Sequence, residues 1–350
     1  MKIVICNMGF TGYSAACWRK LLTLPGVSIK VFTPETHHGY SMDVLAGIPV
    51  QVFPDSEFSA KGFDQKFAKL VVAEKPDVLL IGGWAARPFA NLVDVGSLSN
   101  VRKLLMVDTM WEWTLRCLLS RFRLLGFVRK LDGVIVAGER GRTFARYIGF
   151  KSNQIFTSIY GYDAESFAVC YEKRVANWPR RFVFVGRFVS IKGIDTLIAA
   201  YRKYRQRFGE DAWELHCFGK GPLEVQLNEI PGIVNRGFLQ PKDLPAALTE
   251  AGAFVLPSIK DPWGVALAEG AGAGLPLIAS DEVSSSVDVL RHMYNGCVVP
   301  AGDVDRLFHA LSWMHEHYEL LPEMGRRSKV YAGAYAPDVW ANRILETARA

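Results

Sequence analysis

The sequence lacks several features that mark whole classes of protein. Its 350 residues contain no CxxC pair, zinc-finger spacing, RNP-type aromatic motif or array of short repeats. No apolar run approaches the roughly 18–20 residues that span a bilayer. The start, MKIVICNMGF, has no signal-peptide layout. We therefore expect neither a zinc-stabilised domain nor a membrane-spanning protein.

Cysteine usage and net charge restrict the partners. The 41 basic and 35 acidic residues leave a net charge of +6, which suits an anionic small molecule or surface but is too small to indicate nucleic-acid binding. The scattered cysteines are typical of buried, reduced thiols in a cytosolic protein. They are Cys6, Cys17, Cys117, Cys170, Cys217 and Cys297.

Short apolar runs alternate with helix-like stretches along the whole chain. Most runs are continuously apolar, as in strands buried on both faces of a parallel sheet, so we expect an α/β protein. The predicted helices include 63–74, 194–208, 244–250 and 304–317. The predicted strands are 2–6, 28–32, 51–53, 77–81, 103–107, 133–136, 155–158, 182–185, 214–218, 233–234, 253–256, 277–279 and 298–299.

One polar segment interrupts this alternation. Residues 163–181 lack clear periodicity and contain Pro179, and a new strand follows at once. At about 150 residues per domain the length favours two domains. We predict Rossmann-like domains over 1–165 and 180–335 with a linker between them. A C-terminal helix over 336–350 can pack back on the N-terminal domain.

Two cations follow the first strand of the second half. In VGRFVSIKGID, Arg187 ends the strand and Lys192 lies at the head of a helix, beside Gly186 and Gly193. Because helix N-termini and arginine both favour anions, this pattern can hold a diphosphate. Two surface cations near a turn are an equally good interpretation.

Two later loops add weaker signals. Gly219 and Gly221 in CFGKGPLE let the backbone approach a ligand, although an ordinary turn explains them as well. The loop of NRGFLQPKDL, with Phe238 and Leu239, can hold a flat base by backbone hydrogen bonds or be a plain connection.

The segment 254–280 carries the strongest signal. Asp261 and Glu269 are separated by seven residues, and Gly264 lies between them at the start of a helix predicted over 266–274. A helix that begins at glycine exposes free N–H groups to phosphate. The two carboxylates are better suited to accept from sugar hydroxyls than to act as a general acid/base pair.

Four motifs in this order resemble the retaining GT-B glycosyltransferases of family four, the "glycosyl transferases group 1" pattern. They are VGR…KG, GxGP, the acidic-x7-Glu segment with PWG, and GLPLIAS. The resemblance is dense over 182–300 and fainter earlier, in GYDAESF and in the loop of Gly9 and Gly12. It implies two parallel-sheet Rossmann-like domains facing across a cleft, an N-terminal acceptor-binding domain and a C-terminal donor-binding domain.

The resemblance also implies roles for individual residues. Arg187 and Lys192 would neutralise the diphosphate of a UDP- or GDP-sugar, Glu269 would bind the ribose, and Asp261 would contact the donor sugar. Backbone amides near the helix start would face the phosphate or sugar. The donor-binding residues would be Gly9, Gly12, Gly186, Gly219, Gly221, Phe238, Leu239, Trp263, Gly264 and Val265.

The sequence departs from the family at two positions. Asp261 replaces the first glutamate of the Glu-x7-Glu pattern. Asp108, in LLMVDTMWEW, stands where many members have a histidine near the reacting sugar; it either takes over that position or caps a helix. His37 and His38 can line the acceptor site, but an exposed pair is the default interpretation.

The resemblance implies retention of configuration without a metal or other cofactor. Asp303-Val304-Asp305 matches a bare DxD, but it opens a predicted helix, so a helix cap is the better interpretation. During transfer, negative charge develops on the leaving diphosphate, and fixed cations and amides stabilise it.

A basic stretch over 115–130 suggests a second partner. It mixes leucine and phenylalanine with Arg116, Arg121, Arg123, Arg129 and Lys130. Such a helix can rest on anionic lipid or be an ordinary solvated face. Peripheral binding to the inner face of the plasma membrane would suit a cytoplasmic enzyme with a lipid-linked acceptor, as in bacterial surface-polysaccharide or lipopolysaccharide assembly.

Three other functions stay open. A GT-B nucleotide-sugar epimerase needs acid/base residues that the first half scarcely offers, and a non-catalytic nucleotide-sugar binder would lack acceptor chemistry. A nicotinamide dehydrogenase is disfavoured because NMGFTGYSA lacks a full GxGxxG motif.

Overall fold

The computed structural model describes residues 1–35, 39–157 and 159–349. The chain divides into two compact units: Met1–Gly161 with Pro337–Ala350, and Tyr162–Ala336. Each unit has its own parallel sheet and its own helices, so the predicted α/β class with two Rossmann-like units is confirmed.

The first unit contains a seven-stranded sheet in the order β3-β2-β1-β4-β5-β6-β7 among its described residues. Its strands are β1 Lys2–Cys6, β2 Ser28–Pro34, β3 Val50–Phe53, β4 Val78–Gly82, β5 Arg102–Val107, β6 Gly133–Val136 and β7 Ile155–Thr157. Its helices are α1 Gly12–Leu22, α2 Asp55–Phe58, α3 Phe63–Ala73, α4 Arg87–Ala90, α5 Leu115–Val128 and α6 Glu139–Ile148.

The second unit contains a six-stranded sheet in the order β10-β9-β8-β11-β12-β13. Its strands are β8 Arg181–Val185, β9 Glu214–Phe218, β10 Ile233–Asn235, β11 Ala253–Leu256, β12 Leu277–Ser280 and β13 Gly296–Val299. Its helices are α7 Ala164–Phe167, α8 Cys170–Val175, α9 Ile194–Phe208, α10 Glu224–Asn228, α11 Leu244–Thr249, α12 Val265–Gly272, α13 Ser286–Val289, α14 Val304–Glu316 and α15 Leu321–Ala332.

The continuous apolar runs explain why the strands form. β1 and β4 are almost fully buried, because helices cover both faces of a parallel sheet. Each strand predicted from the sequence is present, with ends shifted by at most two residues. Ser158, at the end of one predicted strand, lies outside the described residues. Among the described residues, no helix is both long and apolar enough to cross a bilayer.

The last helix, α16 Pro337–Arg349, belongs to the first unit. It packs against α1. Trp340, Ala341 and Ile344 are buried in the same core cluster as residues of β1 and β2. The Trp340 indole N–H donates to the Ile159 carbonyl at 3.2 Å. The apolar face of this helix therefore completes the core of the unit that contains the N-terminus.

The polar segment 163–181, predicted to be a linker, lies wholly within the second unit, where it contains the helices α7 and α8. Arg174 of α8 is 1% exposed, and its guanidinium donates to backbone carbonyls of that unit. The acceptors are Leu248, Thr249, Ala273 and Gly274, at 2.8–3.3 Å. Burial lowers the pKa of Arg174 to about 10, which still leaves it charged at neutral pH.

Arg174→Met should lower the free energy of unfolding by roughly 3 kcal/mol or more, because several buried carbonyls lose their donor at about 1–3 kcal/mol each. The matched control is Lys173→Met, since Lys173 is exposed on the same helix. Urea denaturation of both variants measures the difference. An equal change in the two would show that these hydrogen bonds contribute little.

Candidate functional site

Each described sheet has one topological switch point, where the strands that come later in the chain are added on the opposite side of the first strand. In the second unit it lies between β8 and β11, and in the first between β1 and β4. Ligands of open parallel sheets bind beyond the carboxyl ends of the strands at such positions. The loops that follow these four strands are therefore the places to look for chemistry.

Lys192 and Asp261 meet beyond β8 and β11. The Lys192 Nζ lies 2.5 Å from Asp261 Oδ2, and the two side chains are 18% and 8% exposed. Asp261 is further held by its backbone, which donates to the Glu282 carbonyl and accepts from the Ser284 N–H. The cation and the carboxylate, predicted from different motifs, thus form one largely buried ion pair.

The loops that carry this pair are packed tightly together. Gly193 follows Lys192 with a φ of 74°, and a Cβ at that position would lie 1.9 Å from the Pro257 carbonyl oxygen. The N–H of Ile259 also donates to the Ile191 carbonyl at 2.9 Å. Because only glycine permits this approach, Gly193 fixes the position of Lys192 relative to the loop of Asp261.

Helix α12 begins beside the same ion pair. Its N-cap is Gly264, with φ 80° and ψ 59°, and no side chain caps this end. A Cβ at Gly264 would lie 2.6 Å from Val283 Cγ1, so packing as well as conformation requires glycine. With no side-chain cap, the N–H groups of Val265 and Ala266 can bind an anion, whereas the Leu267 N–H donates to the Gly264 carbonyl at 2.9 Å.

Glu269 lies one turn further along α12 and is partly buried. Desolvation, and then the nearby charge of Asp163, raise the pKa of its carboxyl to about 7. Near neutral pH this group therefore exists in both forms. The neutral form can donate a hydrogen bond, and the ionised form accepts from hydroxyl groups.

The other residues of the predicted donor site lie around the β8 and β9 loops. Arg187 is exposed directly after Gly186. A Cβ at Gly219 would lie 1.9 Å from the Gly186 carbonyl oxygen, and one at Gly221 would lie 2.4 Å from the Phe188 carbonyl oxygen. Close packing of two loops thus explains this glycine pair without a ligand.

Aromatic residues of the predicted site differ in exposure. The Trp263 ring is buried against Tyr335, with centroids 5.0 Å apart, so only its backbone is available for binding. Phe238 and Leu239 are partly buried in the loop after β10, and the Lys220 ammonium lies 5.1 Å from the centre of the Phe238 ring.

The first unit has a separate cavity of about 390 Å³ beyond β1, β4 and β5. Asp108 and Gly9 line it, and the Tyr160 hydroxyl donates to Asp108 Oδ2 at 2.9 Å. Thr114 caps α5, which removes the interpretation of Asp108 as that helix's cap. Gly9 has a φ of 93°, and Gly12 is the first residue of α1. Gly9 and Gly12 therefore lie in a different unit from the other predicted donor residues.

Two further predictions concern metals and histidines. The Asp303 carboxylate accepts from the Arg306 N–H at 2.9 Å, which confirms it as the cap of α14. Within the described residues, no three His, Cys, Asp or Glu side chains gather as a metal-ligand set. His37 and His38 lie outside the described residues.

Sequence reasoning missed two residues of these sites. Tyr160 holds the carboxylate of Asp108, and Asp163 acts on the pKa of Glu269. Both lie in or next to the GYDAESF segment, whose only predicted meaning was a resemblance to the family. Tyr160 and Asp163 follow the end of β7 by three and six residues, and polar side chains beyond the carboxyl end of a predicted strand were the available signal.

Comparison with known proteins bears on the second unit most directly. Residues 179–317 match the family model "Glycosyl transferases group 1". The D-rhamnosyltransferase WbpZ of Pseudomonas aeruginosa is 28% identical over 229 residues, which are 61% of this chain and 58% of that relative. The O-antigen chain mannosyltransferase C of Escherichia coli is 26% identical, over 45% of this chain and 44% of its own. These matches span about half the length of the relatives.

Solved structures extend the likeness to the whole fold. The Anabaena protein Alr3699/HepE, in complex with UDP and glucose, superposes with a TM-score of 0.74 at 14% identity and covers 99% of both chains. Sucrose-phosphate synthase of Thermosynechococcus elongatus gives a TM-score of 0.73 at 17% identity over 100% of this chain and 98% of its own. At such identities the likeness concerns the fold. The second unit matches the glycosyl transferases group 1 model over residues 179–317, and the fold is of the GT-B type.

Proposed function

We propose that the protein is a glycosyltransferase that moves a sugar from a UDP- or GDP-sugar to a hydroxyl group of a glycan or lipid-linked acceptor. The observation that carries the proposal is the Lys192–Asp261 pair beside the uncapped start of α12, inside the matched segment 179–317. The relatives named for D-rhamnosyl and mannosyl transfer support a role in bacterial surface-polysaccharide synthesis.

The donor's diphosphate binds between the Lys192 ammonium and the first-turn N–H groups of α12 in this proposal. Lys192 has three donors, so it can keep its bond to Asp261 and still bind a phosphate oxygen. Arg187 is exposed and supplies the additional positive charge. As the bond between the anomeric carbon and the phosphate oxygen breaks, charge develops on the phosphate, and these fixed groups stabilise it.

The remaining residues position the two substrates. Glu269 accepts hydrogen bonds from ribose hydroxyls. Asp261 contacts the donor sugar while it remains paired with Lys192. In the first unit, the cavity lined by the Asp108 carboxylate also carries the hydroxyl groups of Thr11, Tyr13, Ser14 and Tyr160, and these polar groups suit a sugar acceptor. We propose that transfer proceeds with retention of configuration, without a metal or other cofactor, in the cytoplasm.

Lys192→Ala should abolish detectable binding of UDP and GDP, and with it transfer, because it removes the cation nearest the diphosphate. Calorimetry with both nucleotides measures the affinity. Lys203→Ala, which removes an exposed cation of α9 paired with Asp305, should leave affinity unchanged. Wild-type affinity in Lys192→Ala would remove the donor-site assignment.

The alternative functions are separated by product analysis with a panel of UDP- and GDP-sugars. A transferase releases free nucleoside diphosphate, and release accelerates when the acceptor is added. An epimerase would return an altered nucleotide sugar with none released, and a non-catalytic binder would return the donor unchanged. Either of the last two results would contradict the proposal.

The ionisation of Glu269 should be visible in the stability of the unliganded chain. The folded carboxyl keeps its proton up to about pH 7, compared with an ordinary value of 4.5, so the folded state binds more protons between these values. The free energy of unfolding should therefore fall as pH rises through this window. The expected fall is roughly 2 kcal/mol, because solvent screens the partly exposed Glu269 side chain. Glu269→Gln should lack this fall in urea denaturation at a series of pH values. Parallel curves for the two proteins would contradict the raised pKa.

A further inference from the structure

The outer face of α5 is apolar, which is unusual for an exposed helix. Leu115, Leu119 and Phe122 follow the spacing i, i+4, i+7 and so form one stripe along the helix. Their side chains are 78%, 51% and 78% exposed, and Trp113 just before the helix is 86% exposed. The inner face, with Cys117 and Val128, packs in the core of the first unit. The core of the unit is thus covered by the inner face of α5, and the apolar stripe on the outer face stays exposed.

The tryptophan at the start of the stripe is attached to the unit by other rings. Trp113 contacts Trp111, with centroids 5.4 Å apart, and Trp111 contacts Tyr147 at 4.5 Å. The Tyr147 hydroxyl of α6 donates to the Leu118 carbonyl of α5 at 2.6 Å. These contacts hold Trp113 and the first part of α5 in place against α6.

Positive charge surrounds this apolar stripe. Arg116, Arg121 and Arg123 are exposed on α5, which contains no acidic residue. The neighbouring α6 adds Arg140 and Arg146, and its one carboxylate, Glu139, pairs with Arg142 at 2.9 Å. Lys130, after α5, pairs with Asp94. Residues 113–148 together hold eight cations and two carboxylates.

We propose that α5 and Trp113 bind the surface of a bilayer that contains anionic lipid. The leucines, the phenylalanine and the tryptophan enter the boundary between headgroups and acyl chains, and the arginines contact lipid phosphates. A second copy of the chain fits this face poorly, since self-association would bring the eight cations of each copy together with only two carboxylates to pair with them.

Vesicle flotation of the full chain tests the proposal without any nucleotide or sugar, so its outcome is independent of the proposed glycosyl transfer. The parent protein should float with vesicles of phosphatidylglycerol and phosphatidylcholine, and much less with phosphatidylcholine alone. The triple variants L115S/L119S/F122S and R116Q/R121Q/R123Q should each lose about tenfold or more in affinity. Because the changed side chains are exposed, both variants should unfold at the urea concentration of the parent.

The matched control is V225S/V330S, which removes exposed apolar side chains at 66% and 68% exposure from the second unit and should float like the parent. Vesicles with brominated acyl chains should quench tryptophan fluorescence less in Trp113→Phe than in the parent. Equal flotation of the parent and the apolar triple variant would overturn the proposal. So would a change from dimer to monomer in that variant with vesicle binding unaltered, because α5 would then be an interface between copies.

Discussion

The Lys192–Asp261 ion pair joins two loops that leave neighbouring parallel strands, and the arrangement of the candidate site depends on it. The two residues are 69 positions apart in sequence. They meet because β8 and β11 are adjacent at the switch point and because Gly193 lets its loop press against the Pro257 carbonyl. A partly buried pair held in this way needs little rearrangement when a charged ligand arrives.

The charges around this pair explain how a diphosphate can bind next to carboxylates. The negative charge of Asp261 is compensated by Lys192, and the raised pKa of Glu269 keeps its carboxyl partly neutral near pH 7. Arg187 and the uncapped N-terminus of α12 then supply the uncompensated positive potential. This combination of charges fits the proposed nucleotide-sugar donor, which joins an anionic diphosphate to hydroxyl-bearing sugars.

The sequence predicts the strands well because parallel strands buried on both faces read as continuous apolar runs, as in β1, β9 and β11. The structure of residues 163–181 is harder to predict, since short helices anchored by one buried arginine show no apolar periodicity. The motifs place Lys192 and Asp261 correctly on the loops after β8 and β11, but no pattern along the chain shows that they form an ion pair. The pKa of Glu269 also depends on Asp163, which is remote in sequence, and the packing role of Gly219 depends on the carbonyl of Gly186 in the loop after β8.

We propose that a nucleoside diphosphate binds between Lys192 and the start of α12. A crystal structure of the chain with UDP or GDP tests it most directly. We expect phosphate oxygens within hydrogen-bond distance of the Lys192 Nζ and of the first-turn N–H groups of α12, with the ribose at Glu269. A nucleotide bound elsewhere, or a diphosphate without contact to Lys192, would contradict it.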